Sequence, residues 1–456
     1  MQPYKELLLS EDYKGVIEAL KDKHDRDTQE SMALGIAYFK TTMLQNAEKE
    51  FKALYIKDEN NAFICLRLGD VYRLDNQRDK AIYFYRKAMR FSTTKDEAEE
   101  ALGELGYSPE VSDEDEKITE VQGFRPKSNF SEVAGMERQK KYLKDHIIFG
   151  IEHPKEQKKY VKKTGMGLMM YGPPGNGKTF ISEAVAGESK CYMIVAKQSD
   201  IIGQYLGTPE KNLRAIFAQG KANAPCLIFF DEFDSIGTKR SDASGSDKHG
   251  GGTHIKKMVA ELLIQLQGID KSQDAILVMV GTNRPWDIDP ALRRSGRLED
   301  SLYVAPPNAK EREESLKLHL NGRPQKEINL KRVARATIGF SHADIEKLVE
   351  DTGMRQSRAD VALNKEQPIT TKALLSQAKG MDNSLDAWFI DAKRELMGRK
   401  KTETINGKKM VTQEAGALEP QERKMYRPLI KDIEKNTSPL HNLIKRTVRS
   451  VAIYLW

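Results

Sequence analysis

The stretch GLMMYGPPGNGKTFISEAVAG, residues 167–187, places glycines and prolines between an apolar run and an apolar-periodic segment. Its centre matches the pattern G-x-x-x-x-G-K-[ST], with a predicted strand before it and a predicted helix after it. Glycines allow backbone N–H groups to turn inward around phosphates. We expect Lys178 to reach the β and γ phosphates of a nucleotide, and the Thr179 hydroxyl to bind Mg²⁺. This strand–loop–helix context disfavours the alternative, a chance glycine-rich turn. The predicted phosphate loop is Gly172, Pro173, Pro174, Gly175, Asn176, Gly177, Lys178 and Thr179.

Short apolar runs bounded by turn signals recur through the middle of the chain. They are GLMMY (167–171), CYMIVA (191–196), CLIFF (226–230), AILVMV (275–280) and SLYVA (301–305). Runs of this length are typical of parallel strands that are buried on both faces. We therefore predict an α/β fold with a parallel five-stranded sheet, and the phosphate loop follows the first of these runs.

Polar residues follow two of the predicted strands. Asp231 and Glu232 end the run CLIFFDE; the first suits Mg²⁺, and the second suits polarising a water for attack on a γ phosphate. Exposed charge is common at strand ends, but beside a phosphate loop this pair indicates chemistry. Asn283, after the AILVMV run, is neutral and can hydrogen-bond the attacking water or the γ phosphate.

The segment GTNRPWDIDPALRRSGR, residues 281–297, carries two arginines three positions apart. We expect Arg294 and Arg297 to lie on one side of a helical turn. Guanidinium groups are suited to stabilising the charge of a transferred phosphate. Surface ion pairing is the alternative, but no other part of this sequence supplies a cation for the transition state.

The N-terminal part repeats itself. Residues 32–55 and 66–89 share a pattern in which five positions recur 34 residues apart. This is the period of the tetratricopeptide repeat, which these segments resemble. We predict an all-α tetratricopeptide-like domain over residues 1–107 that binds protein substrates or adaptors; an ordinary helical bundle is the alternative. The recurring pairs are Leu34 and Leu68, Gly35 and Gly69, Tyr38 and Tyr72, Ala47 and Ala81, and Phe51 and Tyr85.

Composition narrows the protein class. Residues are 39% hydrophobic and 31% charged, which is typical of a soluble globular protein. No run approaches the ~18 apolar residues that span a bilayer, and the N-terminus lacks a secretion-signal pattern. Three scattered cysteines indicate a reducing compartment, so we predict a cytoplasmic protein without a transmembrane segment. A net charge of +7 is a small excess over this length, and we expect no nucleic-acid partner.

Six segments in order resemble the AAA ATPases, in the branch that includes katanin, the valosin-containing protein and the membrane-bound AAA zinc proteases. They are FSEVAGMERQ, GPPGNGKT, QYLGTPEKNLRAIF, FFDEFDSIG, GTNRPWDIDPALRRSGR and GFSHADIEKLV. The resemblance covers about residues 129–380. It implies a hexameric ring with ATP and Mg²⁺ at each subunit boundary, where Arg294 and Arg297 serve the neighbouring subunit's nucleotide.

The resemblance also implies a domain layout and further nucleotide contacts. It predicts a large α/β ATPase subdomain at 129–306, after an acidic linker at 108–128, and an α-helical lid at 307–382. A partly helical C-terminal extension of unassigned role covers 383–456. The additional nucleotide-binding residues are Ala134, Phe180, His319 and Ala343, although a lone lid histidine such as His319 is as often structural.

One motif bears on mechanical work. Tyr205 and Leu206, in QYLG, match the family's aromatic-hydrophobic-glycine loop that lines the central pore and grips an extended polypeptide. Aromatic faces grip many sequences because apolar contact needs no particular partner. Packing of Tyr205 in the core is the alternative, but the flanking glycines Gly203 and Gly207 favour a mobile exposed loop.

These features together predict an ATPase that remodels, unfolds or disassembles proteins. No histidine is followed directly by glutamate, so the HExxH motif of zinc proteases is absent from this sequence. A DNA-directed loader is disfavoured by the aromatic pore loop and the lack of a basic domain. The alternative is an assembly scaffold in which ATP controls ring formation and no substrate is threaded.

Overall fold

The computed structural model describes most of the chain, in two compact units. The first unit contains residues 1–120 and short later segments, and the second contains most of the remainder. The described residues are 3–23, 25–107, 121, 123–153, 156, 159, 166–202, 209–237, 251–271, 275–294, 296–397, 400–405, 408–413 and 420–454.

The N-terminal residues of the first unit form consecutive helices, each in contact with the next. Local capping residues define where several of them begin. Asp27 and Glu30 form a reciprocal capping box at the third helix, and Asn61 accepts a hydrogen bond from the Ile64 N–H at the fifth. The helices are α1 (Pro3–Leu9), α2 (Tyr13–Leu20), α3 (Thr28–Lys40), α4 (Leu44–Lys57), α5 (Ala62–Leu74), α6 (Arg78–Met89) and α7 (Lys95–Glu104).

Residues 34 positions apart occupy equivalent packing positions in these helices. Gly35 of α3 faces the Phe51 ring of α4, where an added Cβ would lie 2.7 Å from Cε1. Gly69 of α5 faces the Tyr85 ring of α6 in the same way, at 2.5 Å from Cδ1. Each glycine therefore allows close approach of a helix pair.

Gly69→Ala is expected to lower the free energy of unfolding of the N-terminal helices by about 1–3 kcal/mol, because the new methyl group overlaps the buried Tyr85 ring. The matched control is Gly103→Ala in α7, where nothing lies within 4 Å of an added Cβ. There the loss of backbone freedom in the unfolded chain is expected to stabilise by up to ~1 kcal/mol. Urea unfolding followed by helical circular dichroism measures both, and equal midpoints for the two variants would contradict the packing role.

A six-stranded sheet with the order β1-β3-β4-β5-β2-β6 forms the centre of the second unit. The predicted α/β sheet is confirmed, and β2 to β6 pair in parallel. The sheet has one strand more than predicted. This strand, β1, is two residues long, lies within the predicted linker and pairs antiparallel with β3. The strands are β1 (Gly123–Phe124), β2 (Met166–Tyr171), β3 (Tyr192–Ala196), β4 (Cys226–Phe230), β5 (Ile276–Thr282) and β6 (Asp300–Tyr303).

Strand register brings the predicted chemical residues to one edge of the sheet. Tyr171 at the end of β2 pairs with Thr282 at the end of β5, and Phe230 at the end of β4 pairs with Val280. The residues that follow these ends leave the sheet on the same side, because parallel strands share one carboxyl edge. This edge is the usual location of ligand sites in open parallel sheets.

Helices accompany the sheet and follow it. In the sheet region they are α8 (Glu137–Leu143), which continues through a π-helical turn, Lys144–Ile148, into Phe149–Glu152, and then Lys178–Glu188, Gln198–Ile202, Pro209–Ala222 and Gly251–Lys271. Short 3₁₀ turns are Phe233–Ser235, Pro285–Asp287 and Pro290–Arg293. The lid region contains Ala309–Leu320, Leu330–Ala336, His342–Leu363 and Thr371–Lys379, with a small parallel pairing of β7 (Gln325–Lys326) and β8 (Ile369–Thr370).

The residues after the lid region are more structured than the sequence predicted. Helix Leu385–Met397 is followed by an antiparallel pair, β9 (Lys400–Ile405) and β10 (Lys408–Gln413), and then by helices Pro420–Met425, Arg427–Asn436 and Pro439–Tyr454. In the described residues, no helix has the length and apolar character required to cross a bilayer. The three cysteines, Cys65, Cys191 and Cys226, are free and buried.

Candidate active site

The loop between β2 and helix Lys178–Glu188 has a backbone that favours glycine. Gly172, Gly175 and Gly177 have φ values of +151°, +71° and +77°. Side chains other than glycine rarely adopt such angles, so the positions of these glycines in the motif follow from the turn that the loop makes. The loop ends at the N-terminus of a helix, where free backbone N–H groups and the helix dipole favour an anion.

Lys178 lies almost buried beneath this loop. Its Nζ donates hydrogen bonds to the carbonyl oxygens of Gly172 at 3.0 Å and Pro173 at 2.9 Å, and to Asn283 Oδ1 at 2.7 Å. Burial lowers the pKa of Lys178 to about 8, and the nearby carboxylates of Asp231 and Asp234 act in the opposite direction. The ammonium group is therefore held at the loop by fixed acceptors, two of them backbone oxygens.

Thr179 and Asp231 form the next part of the site. The Thr179 hydroxyl donates a hydrogen bond to Asp231 Oδ2 at 2.8 Å, which joins the phosphate-loop helix to the end of β4. Two neighbouring oxygens of this kind suit Mg²⁺, which usually takes one or two protein ligands and fills the rest of its shell with phosphates and water.

Glu232 has the exposure that a water-polarising residue needs. Its side chain is exposed, and its backbone has φ +50°, an unusual angle for a residue with a side chain. The Glu232 N–H donates to Asp231 Oδ1 at 2.9 Å, which helps to hold this turn. Strain of this kind persists where the surrounding structure fixes it, and it commonly occurs at functional sites.

Asp234 is a site residue that the sequence reasoning missed. Its Oδ1 accepts hydrogen bonds from Thr282 Oγ1 at 2.9 Å and from the Asn283 N–H at 3.2 Å. It therefore fixes the backbone of Asn283, whose side chain meets Lys178. The third carboxylate of the run FDEFD was the available signal, but its role depends on a contact across 49 residues.

Ala134 and Ala343, two of the predicted nucleotide-binding residues, belong to segments that adjoin the phosphate loop. Ala134 is half-buried and precedes Met136, whose N–H donates to Glu311 of the first lid helix at 3.4 Å. A Cβ on Gly177 would lie 3.1 Å from Met136 Cε, so the loop containing Ala134 adjoins the phosphate loop. From the other side, the Ala343 N–H donates to the Gly175 carbonyl oxygen at 3.0 Å.

His319 and Phe180 occupy different surroundings. His319 is half-buried in helix Ala309–Leu320, and burial lowers its pKa. One turn earlier on the same helix, the fully buried Ser315 hydroxyl has no hydrogen-bond partner among the described residues, which makes it a further candidate that the sequence reasoning missed. Phe180 is 39% exposed on the first turn of the phosphate-loop helix.

The arginine pair differs in form from the prediction. The helical turn Pro290–Arg293 ends before the pair, and Arg294 adopts an extended backbone with φ −81° and ψ 161°. The Arg297 N–H donates to the Arg294 carbonyl oxygen at 3.2 Å, so a tight turn brings the two together. Arg297 donates to the Ala291 carbonyl oxygen at 2.6 Å, whereas Arg294 is exposed. In the described part of the chain, neither arginine bonds to Lys178, Thr179 or Asp231.

The predicted pore-loop residues Tyr205 and Leu206 lie outside the described residues. The flanking elements are described. Helix Gln198–Ile202 precedes the loop, and Asn212 lies in the helix that follows it. The Asn212 side-chain amide donates a hydrogen bond to the Ile201 carbonyl oxygen at 2.9 Å. This hydrogen bond joins the two helices that flank the loop.

The site geometry agrees with what known proteins share with this chain. The model of the family "ATPase family associated with various cellular activities (AAA)" matches residues 168–306, which contain the phosphate loop, Asp231, Asn283 and the arginine pair. The chain contains an AAA ATPase domain. The resemblance seen in the sequence motifs is thereby confirmed for this domain, whose family uses ATP with Mg²⁺.

Known proteins match this chain over part of their length. A cell division cycle protein 48 homolog from Archaeoglobus fulgidus is 36% identical over 231 residues, 50% of this chain and 30% of that protein. An ATP-dependent zinc metalloprotease FtsH from Caldicellulosiruptor bescii is 34% identical over 263 residues, 57% of this chain and 42% of that protein. The crystal structure of the FIGL-1 AAA domain matches with a TM-score of 0.51 and 27% identity, covering 63% of this chain and 98% of that structure. The chain thus spans less than half of the length of either curated relative.

The residues of the AAA site fit ATP and Mg²⁺. Two glycines with positive φ, at 175 and 177, keep the loop free of side chains on a path that phosphates would follow. Lys178 supplies a buried cation, and the neighbouring oxygens of Thr179 and Asp231 would suit Mg²⁺. The segment that contains Ala134 and the Ala343 backbone adjoin the loop, and the side chains at both positions are small.

Proposed function

We propose that this protein hydrolyses ATP and uses the energy to remodel, unfold or disassemble other proteins. The observation that carries the ATPase part is the continuous set of hydrogen bonds from Thr179 to Asp231, and from Lys178 through Asn283 to Asp234. It joins the phosphate loop to the ends of two other strands. In this proposal the phosphate-binding Lys178 begins the helix after β2 and the water-activating Glu232 follows β4, and both lie at one edge of the sheet.

Each residue has a separate role in this proposal. Bound ATP supplies the phosphoanhydride bond, and Mg²⁺ neutralises phosphate charge. Lys178 binds the β and γ phosphates, while Thr179 and Asp231 hold the metal. Glu232, exposed at the edge, accepts a proton from the attacking water, and the Asn283 amide orients that water or the γ phosphate.

We further propose that the protein works as a ring, with six subunits as the family resemblance implies. Arg294 is exposed and makes no bond to the nucleotide-binding residues of its own chain in the described region. A cation so placed acts most simply on a nucleotide bound to a neighbouring subunit. The active ATP site is then shared between subunits, and turnover requires assembly.

Substrate handling is assigned to two other parts of the chain. Tyr205 and Leu206 belong to a segment between two helices whose ends are tied by Asn212, and we propose that they grip polypeptide in the ring's pore. The tetratricopeptide-like helices of residues 1–107 recruit the substrate or an adaptor. The three buried free thiols favour the cytoplasm as the compartment.

Tyr205→Ala is expected to retain ATP hydrolysis and ring assembly but to lose substrate unfolding, because other residues, namely Lys178, Asn283 and Asp234, and Thr179 with Asp231, make the hydrogen bonds assigned to the ATP site. The measurement is ATP-dependent unfolding of a fluorescent protein fused to a captured binding partner. Tyr205→Phe is the matched control, since it keeps an aromatic face, and it is expected to unfold the fusion at near the wild-type rate.

Two results would contradict this assignment. Undiminished unfolding by Tyr205→Ala would exclude gripping by this residue. If wild-type protein hydrolyses ATP and assembles but unfolds no fusion to any captured partner, the protein is a nucleotide-controlled scaffold and not a remodelling motor.

A further inference from the structure

The segment Pro420–Asn436 packs on the sheet edge that carries the ATP site, and no step proposed above uses it. Its two helices, Pro420–Met425 and Arg427–Asn436, meet at Tyr426. The Tyr426 side chain is completely buried, as are Leu429 and Ile433 on the second helix. A surface segment that has no role in the ATP site would not need to bury the polar side chain of Tyr426 against the edge that carries this site.

Tyr426 contacts three separate parts of the ATPase subdomain. Its hydroxyl donates to the Pro285 carbonyl oxygen at 2.8 Å and accepts from the Arg293 guanidinium at 2.8 Å. Its ring lies edge-on to the Tyr171 ring, with centroids 5.4 Å apart. The Tyr171 hydroxyl in turn donates to the Met425 carbonyl oxygen at 3.0 Å.

Each of these contacts adjoins a residue of the site in sequence. Tyr171 immediately precedes Gly172, the first residue of the phosphate loop. Pro285 is two residues after Asn283, and Arg293 immediately precedes Arg294. One buried side chain therefore touches the backbone or side chains next to the phosphate loop, the water-orienting amide and the arginine pair.

Arg293 is held more firmly than the arginine that follows it. Its side chain is 4% exposed and pairs with Glu422 at 2.6 Å, in addition to its hydrogen bond to Tyr426. Breaking a buried ion pair from one side is costly, because the remaining charge stays buried without a partner. Arg294 has an extended backbone and an exposed side chain, so the fixed position of Arg293 determines where the Arg294 backbone begins.

We propose that Arg293 and Tyr426 are positioning residues for ATP hydrolysis, and that the C-terminal segment sets the geometry of the arginine pair. This inference rests on the proposed ATPase function. It gives the unassigned extension a role in turnover, because Glu422 and Tyr426 lock Arg293, and the locked Arg293 presents Arg294 to the neighbouring subunit's nucleotide. Misplacement of a reacting group by about 1 Å costs on the order of 10²-fold in rate, so loosening this lock should be visible in turnover.

The test compares Tyr426→Phe and Arg293→Gln with Tyr303→Phe in the full-length protein. Tyr303 also donates its hydroxyl to this segment, to Asp432 at 2.9 Å, but it contacts neither Arg293 nor Pro285 in the described structure. Tyr303→Phe therefore also removes a hydrogen bond that a tyrosine hydroxyl makes between the sheet region and this helix pair. We expect Tyr426→Phe and Arg293→Gln to lower kcat by about 10-fold or more, with KM and the affinity for a fluorescent ATP analogue within about twofold of wild type. Tyr303→Phe should keep kcat near wild type.

Mixing separates positioning from a general loss of structure. An Arg293→Gln subunit keeps its own phosphate loop but presents Arg294 poorly, whereas a Lys178→Ala subunit presents Arg294 correctly but binds ATP poorly. Mixed assemblies should therefore hydrolyse ATP faster than the sum of the separate variants. A protein that is merely destabilised would not be rescued in this way.

The outcomes are distinguishable. If Tyr426→Phe and Tyr303→Phe have equal kcat, or if Lys178→Ala rescues Arg294→Ala but not Arg293→Gln, the positioning role is wrong while the ATPase function stands. If the wild-type protein, measured in parallel, hydrolyses no ATP above background, the proposed function itself fails. Tyr426→Phe keeps the buried ring and so provides a readout even if Arg293→Gln fails to fold.

Discussion

Glu232→Gln is expected to bind ATP like wild type and to hydrolyse it about 10² to 10⁴-fold more slowly, the usual contribution of a general base. The amide keeps the size of the side chain but cannot accept the proton of the attacking water. Lys178→Ala should fail at the earlier step, because it removes the buried cation that binds the phosphates. The two variants therefore separate binding from turnover.

Fluorescent-nucleotide binding and steady-state phosphate release measure these two steps. Lys197→Ala is the matched control for Lys178→Ala, since Lys197 directly follows β3 but has an exposed side chain. It should bind and hydrolyse ATP like wild type. Hydrolysis by Glu232→Gln at the wild-type rate would remove Glu232 from the mechanism, and tight ATP binding by Lys178→Ala would remove the proposed role of the phosphate loop lysine.

How much the sequence predicted depended on how local each feature is. The phosphate loop follows from glycines at fixed spacing, and the five parallel strands follow from apolar runs, so both could be predicted from neighbouring residues. β1 is only two residues long and pairs with β3 through its backbone, and no apolar pattern marks it. Local periodicity therefore predicts the five parallel strands but not the short edge strand β1 that pairs with them.

Two of the missed residues, Asp234 and Tyr426, act through contacts between distant parts of the chain. Asp234 holds Asn283 across 49 residues, and Tyr426 meets Arg293 across 133. A single sequence gives no signal for such pairs. Any carboxylate at an exposed position, or any tyrosine within an apolar pattern, would fit the neighbouring residues equally well. The helical turn expected around Arg294 was wrong for a related reason: the chain leaves the 3₁₀ turn at Arg293, where the ion pair with Glu422 fixes it.

The same contacts give the ATP site two kinds of arginine. Arg293 has a buried side chain that pairs with Glu422 of its own subunit, whereas Arg294, one residue later, is exposed and has no ion-pair partner in the described structure. A turn with one buried and one exposed arginine orients the exposed group without shielding its charge. This arrangement suits a cation that must meet phosphate on another subunit, and it leads to the second large effect that we expect.

Arg294→Ala should bind ATP normally but hydrolyse it slowly, with a loss approaching ~10³-fold if this group stabilises the transition state as arginine fingers do. Arg294→Lys should recover only part of the rate, because an ammonium group lacks the planar fork of a guanidinium. Arg297→Ala should show a similar loss, combined with some loosening of the turn, since Arg297 also donates to the Ala291 carbonyl oxygen. Arg358→Ala, at an exposed position of a lid helix, is the control for loss of one positive charge.

Mixing Arg294→Ala with Lys178→Ala tests action between subunits. Activity above the sum of the two preparations is expected, because each subunit supplies what the other lacks. Absence of any gain at every mixing ratio, with protein that remains monomeric in ATP, would show that the arginine does not act on a neighbour.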